Sequence, residues 1–224
     1  MERPKRKLAA IVFTDIAGYT EISANDEEGA FALIEKQREI LKPIVSEFGG
    51  EWLKEMGDGL LLSFPSSKQA VNCAIKIQHT VKEIDELNLR IGIHQGDILE
   101  KDGDIFGDDV NVAARIEPIS AIGGIAVSEK VVMDLMSSPE FTFKFLGLPE
   151  LKGIKQRVKI FALSSHSMPL PNFNLSSLKN SDLKPKKLIQ MISIFATVII
   201  SSSHLHSSIF IRICCARDDV ITLL

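Results

Sequence analysis

Two carboxylates and a lysine carry the first chemical signal. Asp58 lies in Lys54-Glu55-Met56-Gly57-Asp58-Gly59, between Trp52-Leu53 and the apolar run Leu60-Leu61-Leu62-Ser63-Phe64. Two apolar runs separated by Gly-Asp-Gly spell a β-hairpin, because Asp and Gly accept the positive φ of a tight turn. Asp15 stands near the end of another apolar run, Lys7 to Ile16, whose continuity fits a strand buried on both faces. Such a strand beside the hairpin brings Asp15 and Asp58 together. Neighbouring carboxylates repel unless a proton or cation lies between them. A Mg²⁺ pair suits the place, since Mg²⁺ keeps several waters and takes substrate phosphates as further ligands. Taken alone, the hairpin is also compatible with an ordinary solvated turn.

A third stretch, Asp104-Ile105-Phe106-Gly107-Asp108-Asp109-Val110-Asn111-Val112-Ala113-Ala114-Arg115, reads as a loop entering a helix. On that helix Asn111 and Arg115 are four apart and share a face. An exposed polar pair would explain them but not Val110, Val112, Ala113 and Ala114, which crowd the same helix. A packed helix presenting one Asn and one Arg points to a site.

Phe13-Thr14-Asp15-Ile16, Lys54 to Asp58, and Gly107-x-x-Val110-Asn111-x-Ala113-x-Arg115, in this order, resemble the class III nucleotidyl cyclases over residues 7–163. The resemblance implies an enzyme that cyclises a nucleoside triphosphate and releases pyrophosphate. It implies two Mg²⁺ (or Mn²⁺) ions held by Asp15, Asp58 and the Ile16 carbonyl. Arg115 is then the group that neutralises α-phosphoryl charge, Asn111 orients the ribose, and Lys152 reaches the terminal phosphates. A solvated loop lysine is an equally good reading of Lys152. Lys54 and Asp104 fall where the family reads the base. Lysine only donates and aspartate accepts, which matches the N1 and 6-amino edge of adenine and not guanine. Guanylate cyclases of the family typically carry Glu and Cys there. The expectation is therefore an adenylate cyclase making 3′,5′-cyclic AMP from ATP, as a homodimer whose active sites are shared between chains. Guanylate cyclase and a catalytically inactive nucleotide-binding or dimerisation module are the alternatives. A polymerase-like or diguanylate cyclase reading on a similar core is disfavoured by the Asn111/Arg115 helix.

The elements that must position these residues follow in order. After the first strand, Ala17 to Thr20 turns into a helix, and a longer helix spans about 27–48 with Pro43 inside as a kink or weak point. The hairpin follows, then an amphipathic helix from Ser67 to about Glu86. A strand runs over Leu89 to Gly96 and contains His94, which has no partner at ligand or triad spacing and reads as a core or rim histidine. The order is β-α-β-β-α-β, an α+β ferredoxin-like core. A helix over 108–119, a strand at 125–127, a helix from Ser128, and closing strands at 141–145 and 158–163 complete a catalytic domain of residues 1–163.

The chain of 224 residues carries a net charge of −3, which gives no electrostatic case for nucleic acid. Its three cysteines have no metal spacing and, without a secretory signal, fit a reducing cytosol. Residues 164–187 are rich in Ser, Asn and Pro and read as a linker. Residues 188–211 lack charge and are long enough to span a bilayer, for which about 20 residues suffice. Lysines on their amino side would keep the catalytic domain cytoplasmic and anchored to the plasma membrane. The tail at 212–224 has no assignment.

Overall fold

A computed structural model describes residues 5–101 and 104–172. The apolar run at 188–211 and the tail lie outside the described residues, as does most of the expected linker. Among the described residues no helix is long and apolar enough to cross a membrane.

The expected βαββαβ order is present. Strand β1 (Lys5–Ile16) leads through helices α1 (Tyr19–Asn25) and α2 (Glu27–Glu47) to β2 (Glu51–Met56) and β3 (Gly59–Phe64). Helix α3 (Ser67–Val81) and the long β4 (Leu89–Lys101) close the unit. Then come β5 (Asp104–Phe106), α4 (Asp108–Ile116), a 3-10 turn (Glu117–Ile119), β6 (Ile125–Ser128), α5 (Glu129–Asp134), β7 (Phe143–Gly147) and β8 (Ile160–Leu163). The sheet order is β2-β3-β1-β4-β6-β8-β7, with β5 paired to β4. The hairpin therefore lies directly beside β1, antiparallel, with Phe13 opposite Leu61.

β1 is central, and Ala9 to Val12 are all buried. That is why its sequence is continuously apolar and not alternating. One face is covered by α2 and α3, whose Leu41, Val45, Ala70, Val71 and Ile77 join Leu62 and Phe64 in the main core. On the other face Val110 and Ala113 of α4 pack with Ile11, Leu61 and Ile98. Helix α2 starts at Asp26, whose carboxylate caps Gly29 N, and runs unbroken through Pro43.

Other elements differ from the expectation at their ends. Helix α3 stops at Val81, not near Glu86. The α-helical part of α4 ends at Ile116, where Glu117-Pro118-Ile119 tightens into the 3-10 turn. Packing continues past β8: Met168 is buried in the main core and Leu170 packs against a second cluster.

Candidate active site

Asp58 occupies the β2–β3 turn and is 1% exposed. Its Oδ2 accepts a hydrogen bond from the Ile16 N–H at 3.2 Å, across 42 residues of sequence. Asp15 is half-buried beside it. A Cβ on Gly59 would lie 3.5 Å from Asp15 Oδ1, so Asp15 leans on the residue that follows Asp58. The hairpin turn thus meets the end of β1, and Asp15, Ile16 and Asp58 are brought together as expected. Gly57 supplies the turn's positive φ of 67°.

Whether this place suits hard cations is a question about its donors. Two carboxylates, one of them buried, and a strand-end carbonyl are oxygen donors only, as Mg²⁺ and Mn²⁺ require. Among the described residues no group of three or more acidic, His or Cys side chains forms a complete cage. The donor set is a partial one whose remaining positions water and phosphate oxygens would fill, and its oxygen chemistry fits these ions. The charge here is felt by a third carboxyl. Glu117, buried at the end of α4, is pushed up to about 8 by burial and then by Asp15, with Arg90 opposing. The Arg90 Nε lies 3.3 Å from Glu117 Oε1, and Arg90 faces Asp15 in the strand register. Sequence reasoning missed Glu117, because only the packing of the 3-10 turn over Gly92 brings it here.

Asn111 and Arg115 lie on α4, as expected. Asn111 is exposed, whereas Arg115 is half-buried. Arg115 Nε donates to the Lys152 carbonyl at 3.2 Å. Its Nη1 is buried with no hydrogen-bond partner among the described residues. Burial lowers the Arg115 pKa, but a guanidinium stays charged at neutral pH. A charged N–H held out of water without an acceptor is a ready donor to an anionic ligand. Lys152 itself is an exposed turn residue that contributes its carbonyl to this arrangement.

Lys54 sits in β2, half-buried, where the strand carries a bulge between Trp52 and Lys54. The bulge explains an odd spacing. Trp52 Nε1 donates to Glu55 at 3.0 Å, although residues three apart face opposite sides of a regular strand. Arg38 of α2 grips Glu55 through Nε at 2.9 Å and also through Nη2. Arg38 thereby ties β2 to α2 at Glu55, next to Lys54. Asp104 begins β5 and pairs with Lys101.

His94 is buried, as expected for a core histidine, yet it has partners that spacing could not disclose. Its Nδ1 lies 2.8 Å from Ser128 Oγ and its Nε2 2.9 Å from Asp109 Oδ1. Ser128 is wholly buried, which removes a nucleophilic Ser-His-Asp reading: no substrate carbon can reach the hydroxyl.

Comparison with known proteins agrees with this geometry. The family model described as "Adenylate and Guanylate cyclase catalytic domain" matches residues 1–165. Putative adenylate cyclase 3 of Rhizobium meliloti is 36% identical over 171 residues, covering 73% of this chain and 29% of that protein. A pH-sensitive adenylate cyclase of Mycobacterium tuberculosis is 29% identical, over 70% of this chain and 41% of its own length. The chain thus spans well under half the length of these relatives. Among solved structures, an adenylate/guanylate cyclase/hydrolase from Silicibacter pomeroyi superposes with a TM-score of 0.67 at 36% identity, over 72% of this chain and 98% of that one. The catalytic core of a rhodopsin-guanylyl cyclase with converted specificity, in complex with ATPαS, has the same fold, at 24% identity and a TM-score of 0.67 over 73% of this chain and 99% of that one. With the motifs, the sheet order and the match all coinciding, the chain belongs to the adenylate and guanylate cyclase catalytic domain family, the class III nucleotidyl cyclases.

Proposed function

We propose that this chain is an adenylate cyclase that converts ATP to 3′,5′-cyclic AMP and pyrophosphate, at sites shared across a homodimer. The observation that carries the reading is the meeting of Asp15, Ile16 and Asp58 at one end of β1 in a member of this family. Asp15, Asp58 and the Ile16 carbonyl would hold two divalent cations. When bound, these would supply Lewis acidity at the 3′-hydroxyl and neutralise the leaving phosphates. The 3′-hydroxyl gives up its proton to water, its oxygen attacks the α-phosphorus in line, and the bond from that phosphorus to the bridging β-phosphate oxygen breaks, which releases pyrophosphate. No covalent nucleophile from the protein is needed; position and charge are.

The protein's own groups then have distinct tasks. The Arg115 guanidinium, already short of an acceptor, donates to the α-phosphoryl oxygens as charge grows there. Asn111, on the same helix face, orients the ribose. Lys54 donates to adenine N1, and Asp104 accepts from the 6-amino group. Lys152, whose carbonyl accepts from Arg115, would reach the terminal phosphates with its ammonium. The names of the relatives favour the adenylate reading over the guanylate one.

Incubation of the purified chain with ATP or GTP and Mg²⁺ or Mn²⁺, with products identified by mass, tests this. Cyclic AMP from ATP is the expected product. Cyclic GTP-derived product alone would move the assignment to guanylate cyclase. No cyclic nucleotide from either would leave a binding module.

A further inference from the structure

Strand β4 turns Gly92, His94 and Gly96 to one face, and α4 lies on that face. A Cβ at Gly92 would come within 2.3 Å of the Glu117 backbone nitrogen, and one at Gly96 within 2.1 Å of Asp109 Cγ. Only glycine lets the helix sit this close to the sheet at both ends. His94 fills the space between them. Asp109, in the first turn of α4, takes Nε2 of His94 on Oδ1 and the Asp97 N–H on Oδ2 at 2.9 Å. Lys130 reaches the same Oδ1 at 3.2 Å.

The proton positions follow from the chemistry of the partners. Burial lowers the His94 pKa, with Asp109 opposing, so the ring is neutral at physiological pH and carries one N–H. An ionised carboxylate only accepts, which assigns that N–H to Nε2. Ser128 then donates its hydroxyl hydrogen to Nδ1. Every polar atom of this buried line is matched, and the line connects β4 and β6 with the start of α4.

Given the cyclase reading above, we propose that His94 is a positioning residue: its clasp on Asp109 sets where α4 presents Asn111 and Arg115 to the nucleotide. The helix seats on two glycines, which have no side chains to grip it. The clasp supplies the grip that fixes its register along the strand.

Substitutions at His94 separate this role from simple stability. In His94→Gln the amide nitrogen reaches the Nε2 position and keeps the Asp109 bond. In His94→Asn the amide reaches only the Nδ1 position. With the full chain, ATP and Mn²⁺, His94→Asn should lose at least about tenfold in kcat with KM within about twofold, because small misplacements of catalytic groups act on kcat. His94→Gln should keep most of the activity. In an Arg115→Ala background His94→Asn should cost clearly less than it does in the wild-type chain, since one of the two positioned groups is gone. Asp109→Ala removes the clasp from the helix side and should repeat both results, which covers a His94 variant that folds poorly. Equal losses in Gln and Asn, or a full multiplication of the Arg115→Ala loss, would overturn the proposal. Hydrogen exchange reads the clasp without any assay of turnover. Residues 108–116 should exchange at least about tenfold faster in His94→Asn, with β1 and β3 unchanged. Unchanged exchange in α4 would overturn the clasp even if the wild-type chain made no cyclic nucleotide.

Discussion

At the scale of residues, base choice rests on donor and acceptor patterns. Lys54 is fixed within a bulge of β2, and the Arg38–Glu55–Trp52 network ties that strand to α2. If Lys54 reads the base as proposed, a group held this way would reject the wrong edge because mismatched polar groups stay unpaired. Lys54→Glu with Asp104→Cys should therefore shift preference from ATP toward GTP, read as the ratio of kcat/KM values. An unchanged ratio would show that the base is read elsewhere. Arg115 yields a second expectation. Arg115→Lys keeps a positive charge but loses the planar fork and the Nε bond to the Lys152 carbonyl. It should lower kcat by about a hundredfold, the cost of one preorganised donor, with little change in KM. A drop in affinity with kcat intact would make Arg115 a ground-state anchor. The residues of the site differ in how legible they were. The placement of Asp15, Asp58, Asn111 and Arg115 could be read because each stands in a local pattern that constrains strand, turn or helix. The contacts of His94, Ser128 and Glu117 could not, because they join residues 15, 34 and, for Glu117 and Asp15, about a hundred positions apart in sequence.

At the scale of elements, buried polar contacts hold helices to the sheet, and they respond to pH. His94 is faced by Asp109 from α4, Ser128 from β6 and Lys130 from α5; Asp97 contributes its backbone N–H to Asp109. The folded-state pKa of His94 lies below its ordinary value of 6.5, so the folded chain binds fewer protons there than the unfolded chain. Its contribution to stability is present in full above pH 6.5 and is lost as pH falls through the lowered folded value. Asp109, held below 3.8, loses its own contribution only at more acidic pH. Between pH 7.5 and 5, the urea midpoint of the wild-type chain should fall more than that of His94→Gln. Parallel curves would show that His94 does not titrate in this window. Period and apolar runs yielded β1, the hairpin, α2, α3 and the start of α4. The three-residue β5 escaped, because it is shorter than any run with a readable period. The end of α4 was overrun because Pro118 is tolerated in the first positions of a 3-10 turn, so helical spacing persists after the α-helix has stopped.

At the scale of the molecule, the described core does not end with β8. Met168 is 7% exposed, and a Cβ at Gly123 would lie 3.4 Å from Pro169 Cγ. A chain cut after Ser165 would remove this contact with the main core. Burying one methionine is worth about 2 kcal/mol, so such a chain should melt about 5 °C below one cut after Asn172. Equal melting temperatures would show that the segment merely rests on the surface.

The proposed shared-site arrangement assigns the two halves of the chemistry to different chains of a dimer. Asp15 and Asp58 meet at the junction of β1 and the hairpin, whereas Asn111 and Arg115 ride on α4, and Lys54 lies on β2 two strands from β1. An isologous two-fold pairing would bring the carboxylate half of one chain to the Lys54, Asp104, Asn111 and Arg115 half of the other, and would make two equivalent sites. Asp58→Ala and Arg115→Ala chains should each form nearly inactive homodimers. Mixed in equal amounts and allowed to exchange, half of the dimers should be heterodimers. Each heterodimer holds one intact site and one site carrying both lesions. Recovered activity should be about one quarter of wild type, from half of the dimers times half of the sites. Complementation has no source if each site is built within one chain. Absence of recovery, with exchange confirmed by labelled subunits, would therefore place the whole site in a single chain.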